Sequence, residues 1–248
     1  MKLALIADIH GNLSALDAVM DDISKRRVDK IICLGDIVGK GPDTKETIDI
    51  CRDKCDVITI GNWEDGTYYS RNELKNGNTK GITERLRWLI DDIGEERMEY
   101  LGALPHFTEL ELSGKLVRMF HAHPHNFNRY FSDSPVEQRL ELFEAPEGSS
   151  VDVKSDVAIY ADIHTAYMQT LKRKTLLNVG SVGNPLDMAM ASYVILNGNE
   201  TTQSFDVQFI RVEYDIERTI AEAKRRNIPD LDGYITELRE AKYFKRGS

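Results

Sequence analysis

Asp8 and His10 stand two residues apart just past an apolar run, and Asp36, Asn62, His121, Asp162 and His164 each end a later apolar run or sit just beyond one. Carboxylate oxygens, imidazole nitrogens and an amide oxygen are all metal-ligand atoms, and buried strands ending this way bring them to one rim. Two divalent ions about 3.5–4 Å apart in such a set can clamp a phosphoryl group and share a hydroxide that attacks phosphorus in line. The pair needs a bridging carboxylate. Asp36 is the natural bridge, because it follows the apolar residues 31–34 and precedes Gly39 and Gly41, which let backbone and ion approach closely. Asp8 and His10, where the chain leaves its first strand, can reach one ion, and His164 completes that set. Asn62 and His121 suit the second ion. Mixed histidine and carboxylate ligands favour manganese or iron, with zinc as the alternative, over calcium. Any one of these residues alone is more often a hydrogen-bonded structural group; the ordered set carries the reading.

Positioning these groups requires a sheet. Residues 2–7 form an apolar strand, and 13–25 carry Leu13, Leu16, Val19, Met20 and Ile23 at helical spacing. A strand over 30–34, a helix over 44–52 and a strand over 57–60 continue a β-α-β-α-β rhythm that implies parallel strands. The rhythm breaks at an amphipathic helical region over 81–104, part of a helical insertion near 66–104. Strands over 107–112 and 116–120 flank Ser113-Gly114, a hairpin signal. A strand over 157–160, a hairpin within 168–177, a hairpin over 193–212 turning at Asn197-Gly198, and two helices after Asp215 complete the chain. The expected fold class is α/β, a mixed β-sandwich flanked by helices in one domain spanning 1–248. Residues 123–155, polar, aromatic and punctuated by proline, are a lid or substrate loop, or a plain surface excursion.

Composition narrows the partners. The 248 residues carry 41% hydrophobic side chains and a formal charge of −9, which disfavours an extended nucleic-acid surface but not a small phosphorylated substrate held through cations. No run approaches membrane-spanning length, and the first residues are too short an apolar stretch for a signal peptide, so a cytoplasmic protein is expected. Cys33, Cys51 and Cys55 read as ordinary thiols of a reducing compartment. No feature points to a particular oligomer.

The order Asp8-Ile9-His10-Gly11-Asn12, Gly35-Asp36-Ile37-Val38-Gly39, Gly61-Asn62, His121-Ala122-His123-Pro124, Ile163-His164 and Asn178-Val179-Gly180-Ser181-Val182-Gly183 resembles the calcineurin-like metallophosphoesterases over about residues 1–212. Gly61-Asn62-Trp63-Glu64-Asp65 makes it look most like the compact bacterial phosphodiesterases that include asymmetric diadenosine tetraphosphate hydrolases. The resemblance implies a four-layer αββα sandwich and two metal sites. Asp8, His10, Asp36 and His164 would hold the first ion, and Asp36, Asn62, His121 and the residue at 162 the second. The implied activity is hydrolysis of phosphodiesters or dinucleoside polyphosphates, with small phosphomonoesters as the runner-up substrate.

Two positions depart from the family pattern. Position 63, usually a histidine that stabilises the transition state or protonates the leaving oxygen, is Trp63, and an indole can donate one hydrogen bond but cannot act as a general acid. Substrates with good leaving groups are therefore expected, and Trp63 can stack on a base or merely pack its loop. Position 162, usually histidine, is Asp162, whose oxygen lies roughly 2 Å closer to the backbone than an imidazole nitrogen and so reaches an ion by a backbone shift or through water. His123 or His125 could fill the gap, His123 being the catalytic choice. Arg129 is the candidate phosphate clamp, with Phe127, Tyr130 and Phe131 as stacking faces, and Ser181 a candidate substrate contact or support of His164. Trp63 and Asp162 also keep open a noncatalytic binding module whose metal site has drifted.

Overall fold

The computed structural model describes residues 1–244. The chain runs β1(Lys2–Ile6), α1(Leu13–Ser24), β2(Lys30–Cys33), α2(Thr44–Lys54), β3(Val57–Ile58), α3(Asn62–Lys75), α4(Glu84–Ile93), α5(Glu95–Gly102), β4(Phe107–Leu112), β5(Lys115–Phe120), α6(Val136–Glu141), β6(Val157–Tyr160), β7(Tyr167–Leu171), β8(Lys174–Asn178), β9(Ala191–Asn199), β10(Ser204–Val212), α7(Ile216–Arg225) and α8(Leu231–Glu240). Two five-stranded sheets form, ordered β10-β9-β1-β2-β3 and β4-β5-β6-β8-β7. Both are mixed. In the first, β1, β2 and β3 are parallel and β9 joins β1 antiparallel; in the second, β5, β6 and β8 are parallel and the edges antiparallel.

Side-chain alternation sorts the core into layers. Leu3 and Leu5 of β1 face the second sheet and pack with Val117, Met119, Ile159 and Leu177, whereas Ala4 and Ile6 face the helices and pack with Leu16, Val19, Leu89 and Met98. Both faces of β1 are therefore buried, as suits a central strand covered by a sheet on one side and helices on the other. On the outer face of the second sheet, Phe120, Tyr160 and Leu176 are covered by Tyr130, Leu142 and Phe143. The result is the expected sandwich of two mixed sheets flanked by helices, though α6 is the one helix of that outer layer among the described residues.

Arg118 holds this outer segment down. Fully buried on β5, it donates from Nε to Glu109 Oε2 at 3.1 Å, from Nη1 to the Phe143 and Glu144 carbonyls, and from Nη2 to Ser149 Oγ at 2.9 Å. A buried cation needs such a full set of acceptors, and here Glu109 of β4 supplies the carboxylate while the others come from within residues 123–155. No helix among the described residues is long and apolar enough to cross a membrane.

Two local expectations change. The helical region expected over 81–104 is divided at Gly94, whose φ of 81° no helix interior accommodates, into α4 and α5. Asn197-Gly198, expected to form a hairpin turn, lies inside β9, paired with Asp206 and Phe205, and the chain reverses over residues 200–203 instead. The reason is packing: a Cβ at Gly198 would collide with Leu112 and lie 2.9 Å from Ser113 Oγ, so the glycine serves the close approach of the β4-β5 hairpin.

Candidate metal centre

Strand ends of both sheets deliver the side chains singled out above. Asp8 and His10 follow β1, Asp36 follows β2, His121 follows β5, and Asp162 and His164 follow β6. Asn62 is the first residue of α3. Asp8, His10, Asp36, Asp162 and His164 all have left-handed backbone, with φ between 51° and 66°. Each such residue costs about 1–3 kcal/mol unless its surroundings impose it, and clustered strain of this kind is typical of functional sites. The backbone turns sharply at each strand end, so that residues two apart both face one point.

Three histidines share one device. His10 Nδ1 lies 3.0 Å from the Val38 carbonyl, His121 Nδ1 2.7 Å from the Leu34 carbonyl, and His164 Nδ1 2.5 Å from the Asn184 carbonyl. A carbonyl only accepts, so each Nδ1 carries the hydrogen, which leaves Nε2 of His10 and His164 as lone-pair atoms and Nε2 of His121 as one when a cation takes the place of its proton. Those lone pairs converge. His10 Nε2 and His164 Nε2 are 3.0 Å apart, and Asp8 Oδ1, buried with no hydrogen-bond partner, lies 3.3 Å from His164 Nε2 and 3.7 Å from His10 Nε2. Two acceptor nitrogens and an unpaired carboxylate oxygen face one another with no donor between them. Such a cluster fits a cation.

The second cluster shares members with the first. His121 Nε2 lies 3.4 Å from Asp36 Oδ2 and 3.0 Å from Asn62 Oδ1, while the same Asp36 oxygen is 3.7 Å from His10 Nε2. Ligand atoms of Asp8, His10 and His164, and of Asp8, Asp36 and His121, lie within 4.8 Å of one another in each group. Asp36 thus stands between the two, where a bridging carboxylate belongs. Burial works to raise Asp8, but His164, His121 and His10 overcome it and hold the carboxyl at about 2. Burial and the neighbouring His164 push His10 well below its usual range; His121 is opposed by burial but held well above by Asp36, Asp8 and Asp162.

Asp162 is placed differently. Its two oxygens accept Nε and Nη2 of Arg129 at 2.7 and 2.8 Å, and Oδ1 is 3.9 Å from His121 Nε2. The backbone N–H of Asp162 donates to Asp8 Oδ2 at 3.1 Å. Arg129, from the segment before α6, therefore arrives at the rim of the metal centre, half exposed, with Nη1 making no bond to the described residues. His123 is not among the clustered ligands. It stacks on Tyr130 at 5.3 Å, its Nδ1 accepts the His125 N–H, and burial with the neighbouring His125 pulls it to about 4, leaving a neutral ring at pH 7 whose one N–H is on the buried Nε2. Ser181 is fully buried behind Asp8, with its hydroxyl donating to the Asp8 carbonyl at 2.7 Å and accepting from Asn184 N at 2.8 Å. That position supports the Asp8 backbone and offers no face to a substrate.

Trp63 donates its backbone N–H to Asp36 Oδ1 at 2.9 Å and sets its ring edge-on to His10, 6.0 Å between centroids. Gly39, at φ 137°, makes room for both rings, since a Cβ there would fall 2.6 Å from His10 Nδ1 and 2.9 Å from the indole. The residue whose role sequence reasoning missed is Glu64. Its fully buried carboxylate accepts the N–H groups of Asp36 at 2.8 Å, Val38 at 3.0 Å and Gly61 at 2.9 Å, tying the loop after β2 to the start of α3. Burial, then the charge of Asp36, raises it to about 7. The available signal was Glu64 three residues after Gly61, the spacing of a helix-capping carboxylate.

A family model described as the calcineurin-like phosphoesterase superfamily domain matches residues 1–201. The uncharacterized protein MJ0912 of Methanocaldococcus jannaschii is 30% identical over 247 residues, covering 93% of this chain and 95% of that one. Among solved structures, a metallophosphoesterase from Sphaerobacter thermophilus is similar with a TM-score of 0.75 at 24% identity, covering 97% of this chain and 100% of the other. The hypothetical protein PH1004 from Pyrococcus horikoshii OT3 is similar with a TM-score of 0.77 at 20% identity, covering 98% and 99%.

Proposed function

From the premise that the chain belongs to the calcineurin-like phosphoesterase superfamily, we propose that it hydrolyses phosphodiesters or dinucleoside polyphosphates at a site for two divalent ions. The observation that carries this reading is the pair of buried ligand-atom clusters meeting at Asp8 and Asp36. Asp8, His10, Asp36 and His164 would hold one ion and Asp36, Asn62 and His121 the other, with Asp162 beside the second. Divalent ions there supply Lewis-acid activation of water and of the phosphoryl group, and the donor set suits manganese, iron or zinc.

The chain's own groups do the rest. Fixed by its bond to Leu34, His121 cannot rotate away from the rim, and the carbonyls of Val38 and Asn184 hold His10 and His164 likewise. Arg129, oriented by Asp162, is the phosphate contact, because a guanidinium held by two parallel bonds keeps its remaining N–H groups directed. The indole of Trp63 can donate a hydrogen bond but cannot act as a general acid toward an alkoxide, so leaving groups stable as anions, such as nucleoside phosphates or aryl alcohols, are the preferred ones.

The test is hydrolysis of bis(p-nitrophenyl) phosphate by protein supplemented with manganese or iron, alongside elemental analysis. Metal-dependent turnover with two ions per chain is expected. Less than about one ion per chain together with no hydrolysis would sink the enzyme reading. Restoring a histidine through Trp63→His should raise turnover of an alkyl phosphodiester more than that of diadenosine tetraphosphate; an equal change would remove the leaving-group argument.

A further inference from the structure

Beside the metal centre, on the Trp63 side, a cleft of about 720 Å³ opens between the start of α4, α8 and the chain after α8. Cavities of roughly 300–1,000 Å³ take small molecules of nucleotide size. Its aromatic walls are Trp63, Tyr243 and Phe244. Trp63 belongs to both places, since its ring meets His10 edge-on while its other surroundings line the cleft. Lys40 is the second link. Its ammonium donates to Asn184 Oδ1 at 2.7 Å, on the same residue whose carbonyl holds His164, and to Glu237 Oε2 at 2.7 Å, and it lies 5.7 Å from the Tyr243 ring centroid.

The charge of the lining decides what chemistry fits. Lys40 and Arg85 face three carboxylates, Glu84, Asp230 and Glu237. An anion gains nothing in such surroundings, in contrast to the rim where Arg129 stands. A flat neutral ring gains stacking surface from three aromatic side chains, and polar edges are at hand for its ring substituents. Lys40 and the carboxylates of Glu84, Asp230 and Glu237 supply those edges.

We propose that this cleft binds a neutral heteroaromatic base of the substrate, the nucleoside of its leaving group, while the attached phosphate lies at the metal centre. The proposal rests on the phosphoesterase reading for the second half of that statement only. It also gives a job to α8, Tyr243 and Phe244, which lie beyond the residues the chain shares with the family model. Phe244 is fixed for it, with its backbone N–H on Glu237 Oε1 at 3.2 Å and its ring against Gly233.

The experiment is saturation-transfer NMR and titration calorimetry of the full chain, treated with chelator, with adenosine and with ribose 5-phosphate as probes. Saturable adenosine binding with contact to the base protons is expected, and ribose 5-phosphate should bind more weakly. Tyr243→Ala and Phe244→Ala should each weaken adenosine by about tenfold, the loss of one base-aromatic contact, with circular dichroism unchanged. The exposed aromatic Tyr69 on α3 lies outside the cleft, and Tyr69→Ala should leave the Kd as it is. Absence of adenosine binding, or binding indifferent to both cleft variants, overturns the proposal even if the protein hydrolyses bis(p-nitrophenyl) phosphate. Adenosine binding lost in both variants, with no hydrolysis under any metal, upholds the cleft and discards the phosphoesterase reading.

Discussion

The two halves of the metal centre are built on different principles. Around His10 and His164 every ligand is closed in by the chain: both rings are pinned by carbonyls, Asp8 is fully buried, and its Oδ1 has no other partner. Around His121 the set is open. Asn62 is a helix-start residue with partial exposure, and Asp162 is already neutralised by a half-exposed arginine. The first half has nothing to offer except a place for a cation. The second pairs a place for a cation with an arginine held by Asp162 at the rim, and under the proposed function that is where substrate selection would be concentrated.

The largest effect should come from the residue both halves use. Asp36→Asn keeps the shape and removes the charge between His10 and His121, and should lower hydrolysis of an aryl phosphodiester by well over the roughly 10–100-fold seen when only a supporting partner is lost. Full activity in that variant would refute the shared role. Glu64→Leu separates the halves next. It strands three buried N–H groups, at about 1–3 kcal/mol each, and loosens Asp36 and Asn62 and, through Val38, the carbonyl behind His10, while Asp8 and the Asn184 carbonyl behind His164 stay in place. Elemental analysis should then find about one ion per chain where the wild type holds two. Equal loss of both ions would erase the distinction between the halves.

Arg129→Ala gives opposite signs at one site. It withdraws the phosphate contact, so KM for a phosphodiester should rise by about tenfold, yet it frees the Asp162 carboxylate beside His121 and should tighten retention of the second ion during dialysis against chelator. Arg129→Lys should recover less than half of the lost binding, because an ammonium cannot reproduce the paired bonds to Asp162. If both variants lose the second ion faster than wild type, Arg129 is a structural brace of that half and its contact with substrate is refuted.

The sequence made the strand ends legible because burial on both faces writes continuous apolar runs, and Asp8, Asp36, His121 and His164 each follow one. What stayed hidden has physical reasons. The start of α3 at Asn62 was missed because its buried residues are Glu64, Thr67, Ser70 and Arg71, so no apolar period marks it. Asn197-Gly198 carried a turn signal, but that glycine answers to Leu112 of the other sheet, a contact no local pattern reports. The Arg129-Asp162 pair spans 33 residues and joins a segment with no regular structure to a strand end. Residue types named both members; only the fold could pair them, and the pairing turns an awkward replacement at position 162 into a partner for an arginine.

Ser181 supplies the smallest test and the finest one. Its hydroxyl donates to the Asp8 carbonyl and accepts the Asn184 N–H, and those two residues bear most directly on the first half: one is a ligand at left-handed φ, the other carries the carbonyl that orients His164. Ser181→Ala removes both bonds without changing the backbone and should cost about 1–2 kcal/mol of stability. If the first half is closed by the chain, this loss should appear as faster exchange of the tightly held ion, with KM for a phosphodiester unchanged. A rise in KM without any change in ion exchange would mean that the hydroxyl meets substrate after all, and that the first half is less closed than its burial implies.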